Sequence, residues 1–367
     1  MHSAPKKRRI LRAHVAALVC ALSIFSVGCM GEGGEPIEAV GLAQETPLPK
    51  RKGTVLVDGC AIDPWQDAIL AKPATRIVVT EVLLLCLVPR EGGGVGPSDP
   101  FARKELDRTI DDLHQKGYSV SLGVAFTDET GARYDAERTR GLLADLTFRA
   151  SFVASLETVA TRADAVDLDF QGAKAASRPD LTAFVSAVSA KLRPAKKTLG
   201  IFLPPSVAIP SDLPDGEAFD RPRLASFVDR FRVMTLDYSE SAGPTLDPGW
   251  ATDAVRLAAS EKKETYVSVP LYGVDFGPRG SRGVSVLEAR GLAATFGATP
   301  SRGPTGALSF SYVSQNESHE VWFDDTRSTA QALGAFATSL EPDVGVLYYG
   351  FGAEEPGLFA ALAERTR

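Results

Sequence analysis

Histidine is scarce. There are four in 367 residues, and neither His114 nor His319, the two outside the N-terminal segment, stands in an HExxH or other ligand spacing. A metal held by the protein is therefore not expected. Cysteine is as rare, with four residues and no CxxC pair. Long apolar runs are missing too; the stretch from Val15 to Val27 is too short to span a bilayer comfortably. Charge is lopsided, with 46 acidic against 40 basic residues, and five of the basic ones come before position 13. An acidic surface without a basic stripe argues against nucleic acid and against an electrostatic membrane patch. The run "GGGVG" at 92–96 does not lead into a helix, so it reads as a loop and not as a dinucleotide fingerprint.

What is present begins with a processing signal. Lys6, Lys7, Arg8, Arg9 and Arg12 form a basic head, the apolar run follows, and small Gly28 stands directly before Cys29. "FSVGC" resembles a bacterial lipobox, with Ser26 where leucine is usual. That resemblance implies lipidation at Cys29, export, and anchoring in the cell envelope through the lipid alone. An ordinary secretory signal or an uncleaved anchor are the alternatives. Residues 1–29 are expected to be the signal; residues 30–52, rich in Gly, Glu and Pro, are expected to be a flexible tether. Removing the signal leaves a net charge of about −11. It also leaves two cysteines, Cys60 and Cys86, near the ends of the first two expected strands. In an oxidising compartment these are either a disulfide or two buried thiols.

From Gly53 onward, short β-branched runs alternate with amphipathic stretches. Strands are expected at "TVLVDG" (54–59), "TEVLLLCLV" (80–88), "SVSLGVAF" (119–126) and "DAVDLDFQ" (164–171). Four more follow at "TLGIFLP" (198–204), "RVMTLDY" (232–238), "TYVSVPLY" (265–272) and "DVGVLYYG" (343–350). Several are apolar on both faces, as parallel strands covered by helices should be. Between them, "FARKELDRTIDDLHQKG" carries an apolar stripe that Gly117 stops, and the stretch from Arg138 to Ala163 reads as one long helical segment. Ser177 is placed to cap a helix with Pro179 in its first turn. Eight such repeats over residues 53–367 predict a single α/β domain, a (β/α)8 TIM barrel. The one spare length, between Tyr272 and Val321, allows a helix and a small insertion.

In the fourth strand, Asp167, Asp169 and Gln171 share one face while Val166, Leu168 and Phe170 take the other. Buried carboxylates are costly unless paired, so such a row marks a candidate site. Barrel chemistry gathers at the C-terminal strand ends. There the row would meet Asp237 from strand six, Tyr272 from strand seven, and Tyr348 and Tyr349 from strand eight.

"DAVDLDFQ" resembles the DxxDxDxE signature of family 18 glycoside hydrolases, the chitinases and endo-β-N-acetylglucosaminidases. "VMTLDY" looks like the family's MxYDY, "VSVPLYGVDFG" like its GxPxYGR segment, and "VWFDDTRSTAQALGAF…GVLYYGFG" like its tail. The resemblance implies hydrolysis beside N-acetylglucosamine, assisted by the substrate's own acetamide, an exception to the two-carboxylate scheme. Carried over by position, Asp169 would orient the acetamide with Asp167 behind it, and Asp237 would be the strand-six aspartate. Asp164, Tyr238, Tyr272 and Tyr349 would contact the sugar. No cofactor is implied, and the partner would be an oligo- or polysaccharide containing N-acetylglucosamine.

Four positions depart from the family pattern. Gln171 stands at the general acid, Leu236 at the tyrosine of MxYDY, Tyr349 at the tryptophan, and Val274 at the arginine of GxPxYGR. Glutamine keeps the shape of glutamate but has no proton to give. Tyr349 keeps an aromatic face that can stack on a sugar. The pattern removes catalysis more thoroughly than binding. The leading expectation is therefore a membrane-anchored, non-catalytic glycan-binding barrel, with Trp65 and Trp250 as further platforms. One alternative is an active hydrolase with a displaced acid, for which Asp128, Glu129 and Glu240 are candidates. The other is a scaffold barrel without a sugar site.

Overall fold

The computed structural model describes residues 47–366, apart from 100–101, 129–130, 132–133, 207–217 and 240. Cys29, Glu129 and Glu240, with the expected signal and most of the expected tether, lie outside the described residues. Eight parallel strands form the barrel: β1 (Gly53–Val57), β2 (Glu81–Pro89), β3 (Ser119–Ala125), β4 (Ala165–Asp169), β5 (Thr198–Leu203), β6 (Arg230–Val233), β7 (Glu264–Pro270) and β8 (Gly345–Tyr349). Each pairs with its sequence neighbour, and β1 pairs with both β2 and β8, which closes the ring. All eight expected strands are present. Helices cover the outside, and their apolar stripes make one core with the outward strand residues, among them Val55, Val82, Leu122, Val166, Ile201, Phe231 and Val267.

Inside the ring the residues fall into levels two positions apart. Thr54, Glu81, Gly200 and Gly345 lie near the strand starts. Two residues further on, Leu56, Leu83, Phe202 and Leu347 form an apolar plug with Tyr266. The mouth lies above that plug.

The spare length holds more than a small insertion. Strands Gly273–Gly277, Gly280–Val284, Ser301–Arg302, Leu308–Ser314 and Glu317–Phe323 make a five-stranded antiparallel sheet. Helix Val286–Thr295 packs on it with a core of its own, including Val286, Ala289, Phe310, Val321 and Phe323.

Three local expectations change. The long helical segment is two helices, Ala136–Ala144 and Leu146–Val159; Asp145 between them is extended, and its carboxylate accepts from the Thr147 and Phe148 N–H groups. Ser177 makes no cap: its backbone is already helical and its buried hydroxyl has no partner. Packing also begins before the expected boundary at Gly53. Leu48 is buried and its N–H donates to the Arg365 carbonyl, while the Arg51 guanidinium donates to the carbonyls of Phe336, Leu340, Glu341 and Val344. Cys60 and Cys86 are joined as a disulfide that ties the segment after β1 to β2, the first of the two readings their spacing allowed.

Candidate functional site at the barrel mouth

Asp169 closes β4 with its side chain inside the mouth and only 1% of the residue exposed. Its carboxylate accepts from the Tyr134 hydroxyl at 2.5 Å, from the Gln171 backbone N–H at 3.1 Å, and from the Gln171 side-chain amide at 3.4 Å. Gly172, at φ +80°, turns the chain just past the amide in a conformation that favours glycine. Across the mouth, Asp237 follows β6 at φ +54°, a region unusual for a side-chain-bearing residue and worth a functional reading. The Tyr272 hydroxyl donates to Asp237 at 3.1 Å. Burial pushes the Asp237 carboxyl up, and the Tyr272 bond opposes that. The Tyr272 phenol is pushed well up by burial and then by the charge of Asp237.

Tyr349 faces Tyr272 edge-on, with ring centres 6.2 Å apart. Its phenol is raised by burial and then by the charges of Asp58, Asp169 and Asp237. The charges of those three carboxylates all reach that hydroxyl; Gln171 lies on Asp169, and Tyr272 lies between Asp237 and Tyr349. Leu236 is buried, and Val274 lines a cavity of about 20 Å³ with Asp237, Ser239, Thr245, Phe276 and Ser281, room for about one water.

Other expected site residues lie elsewhere. Asp164 sits at the opposite end of β4, where its carboxylate accepts from the Val120 N–H at 2.8 Å and pairs with His114 at 2.9 Å. It ties strand starts together and does not reach the mouth. Asp167 is one level below Asp169, fully buried, in a closed set of charges. Arg230 donates to it at 2.5 and 3.2 Å, Arg232 at 2.9 and 3.3 Å, and Ser121 at 2.5 Å. Both arginines also bind Glu81, which accepts from Thr54 at 2.8 Å. Burial alone would raise the Asp167 carboxyl, but the two guanidinium charges outweigh it and hold the group far below the usual carboxylate range. Gly200 makes room: a Cβ there would lie 1.8 Å from the Asp167 carboxylate. Tyr348 points outward onto Phe359. Tyr238 is 42% exposed and packs against Trp250, while Trp65 is 46% exposed at the helix after β1.

Sequence reasoning missed Asp58, Tyr134 and Asp324 at the site, and Glu81, Arg230 and Arg232 beneath it. Asp324 accepts from the Thr245 hydroxyl at 3.2 Å, and burial pushes its carboxyl up to about 7, with the charge of Asp325 adding to this. Its own charge reaches Tyr272. A period-two pattern, "RFR" at 230–232 opposite Asp167, was the one available signal for the lower layer. Among the described residues, no group of three or more His, Cys, Asp or Glu is arranged to hold a metal ion, and no helix is long and apolar enough to cross a membrane.

With this geometry in place, comparison with known proteins gives a consistent result. The sequence model described as "Glycosyl hydrolases family 18" matches residues 131–341. The "Cortical fragment-lytic enzyme" of Bacillus anthracis is 25% identical over 272 residues, covering 70% of this chain and 62% of that protein. The chain thus spans somewhat under two thirds of the length of that curated relative. Among solved structures, a chitinase from Chromobacterium violaceum superposes with a TM-score of 0.72 at 20% identity, covering 85% of this chain and 98% of that one. A class V chitinase from Nicotiana tobaccum, a glutamate-to-glutamine mutant in complex with NAG4, gives 0.63 at 14% identity over 87% and 99%. At these identities the two structures show the shared barrel.

Proposed function

The chain belongs to glycosyl hydrolase family 18, and on that premise we propose that it binds N-acetylglucosamine-containing glycans at the barrel mouth without hydrolysing them. Gln171 carries this reading. Its amide occupies the acid's place in the DxxDxDxE pattern, lies against Asp169, and has no proton to deliver. Loss of a general acid costs about 10²- to 10⁴-fold in rate, whereas Asp169, Asp237, Tyr272 and Tyr349 still offer polar and aromatic groups around one opening. In the tobacco chitinase a glutamate-to-glutamine replacement coexists with bound NAG4, which supports binding in the presence of an amide. The name of the Bacillus relative points to cortical fragments as one ligand class. In this reading the protein is exported, held in the bacterial envelope by a lipid on Cys29, and requires no cofactor.

The test incubates the chain from residue 47 onward with N-acetylglucosamine oligomers and follows retained ligand and products by mass spectrometry. Wild type should retain intact oligomer, and Gln171→Glu should begin to cleave it. Cleavage by wild type would refute the non-catalytic reading.

Asp324 favours a second reading, an active hydrolase with a displaced acid, because a carboxyl held near 7 keeps a proton close to neutral pH. In that case wild type cleaves and Asp324→Asn does not. Of the acids expected from sequence, Asp128 alone lies among the described residues.

A further inference from the structure

The base of the barrel, at the strand starts, carries a cleft that the glycan site does not use. Helices Pro64–Leu70 and Arg103–Gln115 end there, and the short helix Pro73–Val78 follows the first of them. The cleft measures about 600 Å³, within the range of ligand sites, and is open to solvent. Its walls include Lys50, Leu70, Pro73, Arg76, Ile77 and Lys116, and no acidic residue lines it among the described residues. Lys116 is neutralised, because Asp67 and Asp112 both pair with it. Lys50, Arg76 and the adjacent Lys72 are not: all three are exposed, and none has an ion-pair partner among the described residues. Arg76 reaches across Gly117, where a Cβ would lie 2.4 Å from its guanidinium. Ile77 beside these cations is 44% exposed.

Lys50 and the segment 72–76 are separate in sequence. Pairing of β1 with β2 brings them to one cleft, so a reading along the chain shows no basic stripe. Unpaired cations around an exposed aliphatic group suit a phospholipid surface. Their stems run past apolar surface and place the charge at the phosphates, while the aliphatic group meets the acyl boundary. A soluble acidic polymer would satisfy the charges and leave Ile77 in water. The path of the chain agrees with a membrane. The described residues begin at 47, three positions before Lys50, and Cys29 stands 18 positions before residue 47. A lipid on Cys29 would keep this cleft within reach of the bilayer.

We propose that the cleft is a docking site for anionic phospholipid headgroups, held by Lys50, Lys72 and Arg76 with Ile77 at the acyl boundary. This adds a second membrane contact to the lipid expected on Cys29, and it does not depend on the glycan-binding reading. The tether alone leaves the barrel free to turn; the cleft supplies an orientation. The chain as a whole is acidic, so attraction comes from the patch itself and fades within a Debye length. Each lysine or arginine near such a surface strengthens binding about fivefold.

The experiment follows co-sedimentation of the chain from residue 30, which lacks the lipid, with vesicles of phosphatidylcholine alone and of phosphatidylcholine mixed with phosphatidylglycerol. One variant combines Lys50→Gln, Lys72→Gln and Arg76→Gln. A control with the same change of net charge combines Lys104→Gln, Arg108→Gln and Arg327→Gln, three exposed cations elsewhere. Circular dichroism checks that both are folded. Wild type should bind the mixed vesicles at low salt and not the neutral ones, and high salt should release it. The cleft variant should bind about a hundredfold more weakly, and the control should change much less. Ile77→Ser, which leaves the charge intact, should also weaken binding. No binding by wild type, undiminished binding by the cleft variant, or equal losses in cleft variant and control each overturns the proposal. Competition by soluble polyglutamate as strong as that by the vesicles assigns the cleft to an acidic polymer and also overturns it.

Discussion

Asp167→Asn tests whether the lower layer of the barrel is structural. The substitution keeps the shape and removes one of two negative charges from a sealed set that holds Arg230 and Arg232. Glu81 then faces two guanidinium groups alone, with the side chains of Arg232 and Asp167 at 0% exposure. Breaking a buried pair from one side typically costs about 3–5 kcal/mol. With roughly 2 cal/mol/K of unfolding entropy per residue over about 320 residues, that corresponds to a fall in Tm of about 5–8 °C. The pH dependence gives a second handle. The folded pKa of Asp167 is depressed, so its contribution is fully present above the unfolded value near 3.9 and is lost as pH falls towards the folded value. Urea unfolding of wild type and variant should show a constant gap from about pH 7 to pH 5 that narrows by about 1 kcal/mol at pH 3. A gap below about 1 kcal/mol at pH 7, or one that ignores pH, would refute the charge argument. Full stability combined with lost glycan binding would return Asp167 to the site.

Replacing Cys60 and Cys86 together by serine opens a 26-residue separation; the loop-closure relation predicts a loss of about 3.5 kcal/mol, read by denaturant unfolding against wild type. For Asp324, pushed up to about 7 by burial, the folded state holds its proton where the unfolded chain has released it. Stability therefore falls as pH rises from about 4 to 7, and Asp324→Asn should flatten that part of the profile. Glu354, also held near 7 by burial, contributes in the same direction, so Glu354→Gln should flatten it further; profiles identical to wild type in both variants would refute the assignment.

The eight strands were legible because each is a short run whose apolar pattern needs helices on one side and a filled barrel on the other. The mouth was legible where chemistry sits at strand ends, as with Asp169, Asp237 and Tyr349. Depth along the barrel axis was not. Asp164 and Asp167 share a motif with Asp169, yet local spacing does not reveal which end of the strand, or which level, a side chain occupies once neighbouring strands are staggered. The Glu81–Asp167–Arg230–Arg232 set joins residues from three strands far apart in the chain, and its arginines resemble a loop's surface charge until the ring closes. Tyr134 and Asp324 carried no signal, because a loop tyrosine and one of two consecutive aspartates acquire a role only from what folds against them. Asp145 was a missed stop: an aspartate inside an apolar period reads as a surface helix position until its carboxylate is seen capping the next helix.

Leu48 and Arg51 fasten the start of the described chain beneath the barrel, against Arg365 and the last turn of helix Thr326–Ser339. The polypeptide thus enters on the face opposite the mouth. With a lipid on Cys29, as proposed above, up to roughly 60 Å of chain would separate the bilayer from Leu48. A tether of that length alone would leave the barrel free to turn, with the attachment on one face and the opening on the other. Because entry and opening lie on opposite faces, the anchoring segment and a glycan at the mouth would not compete for the same surface.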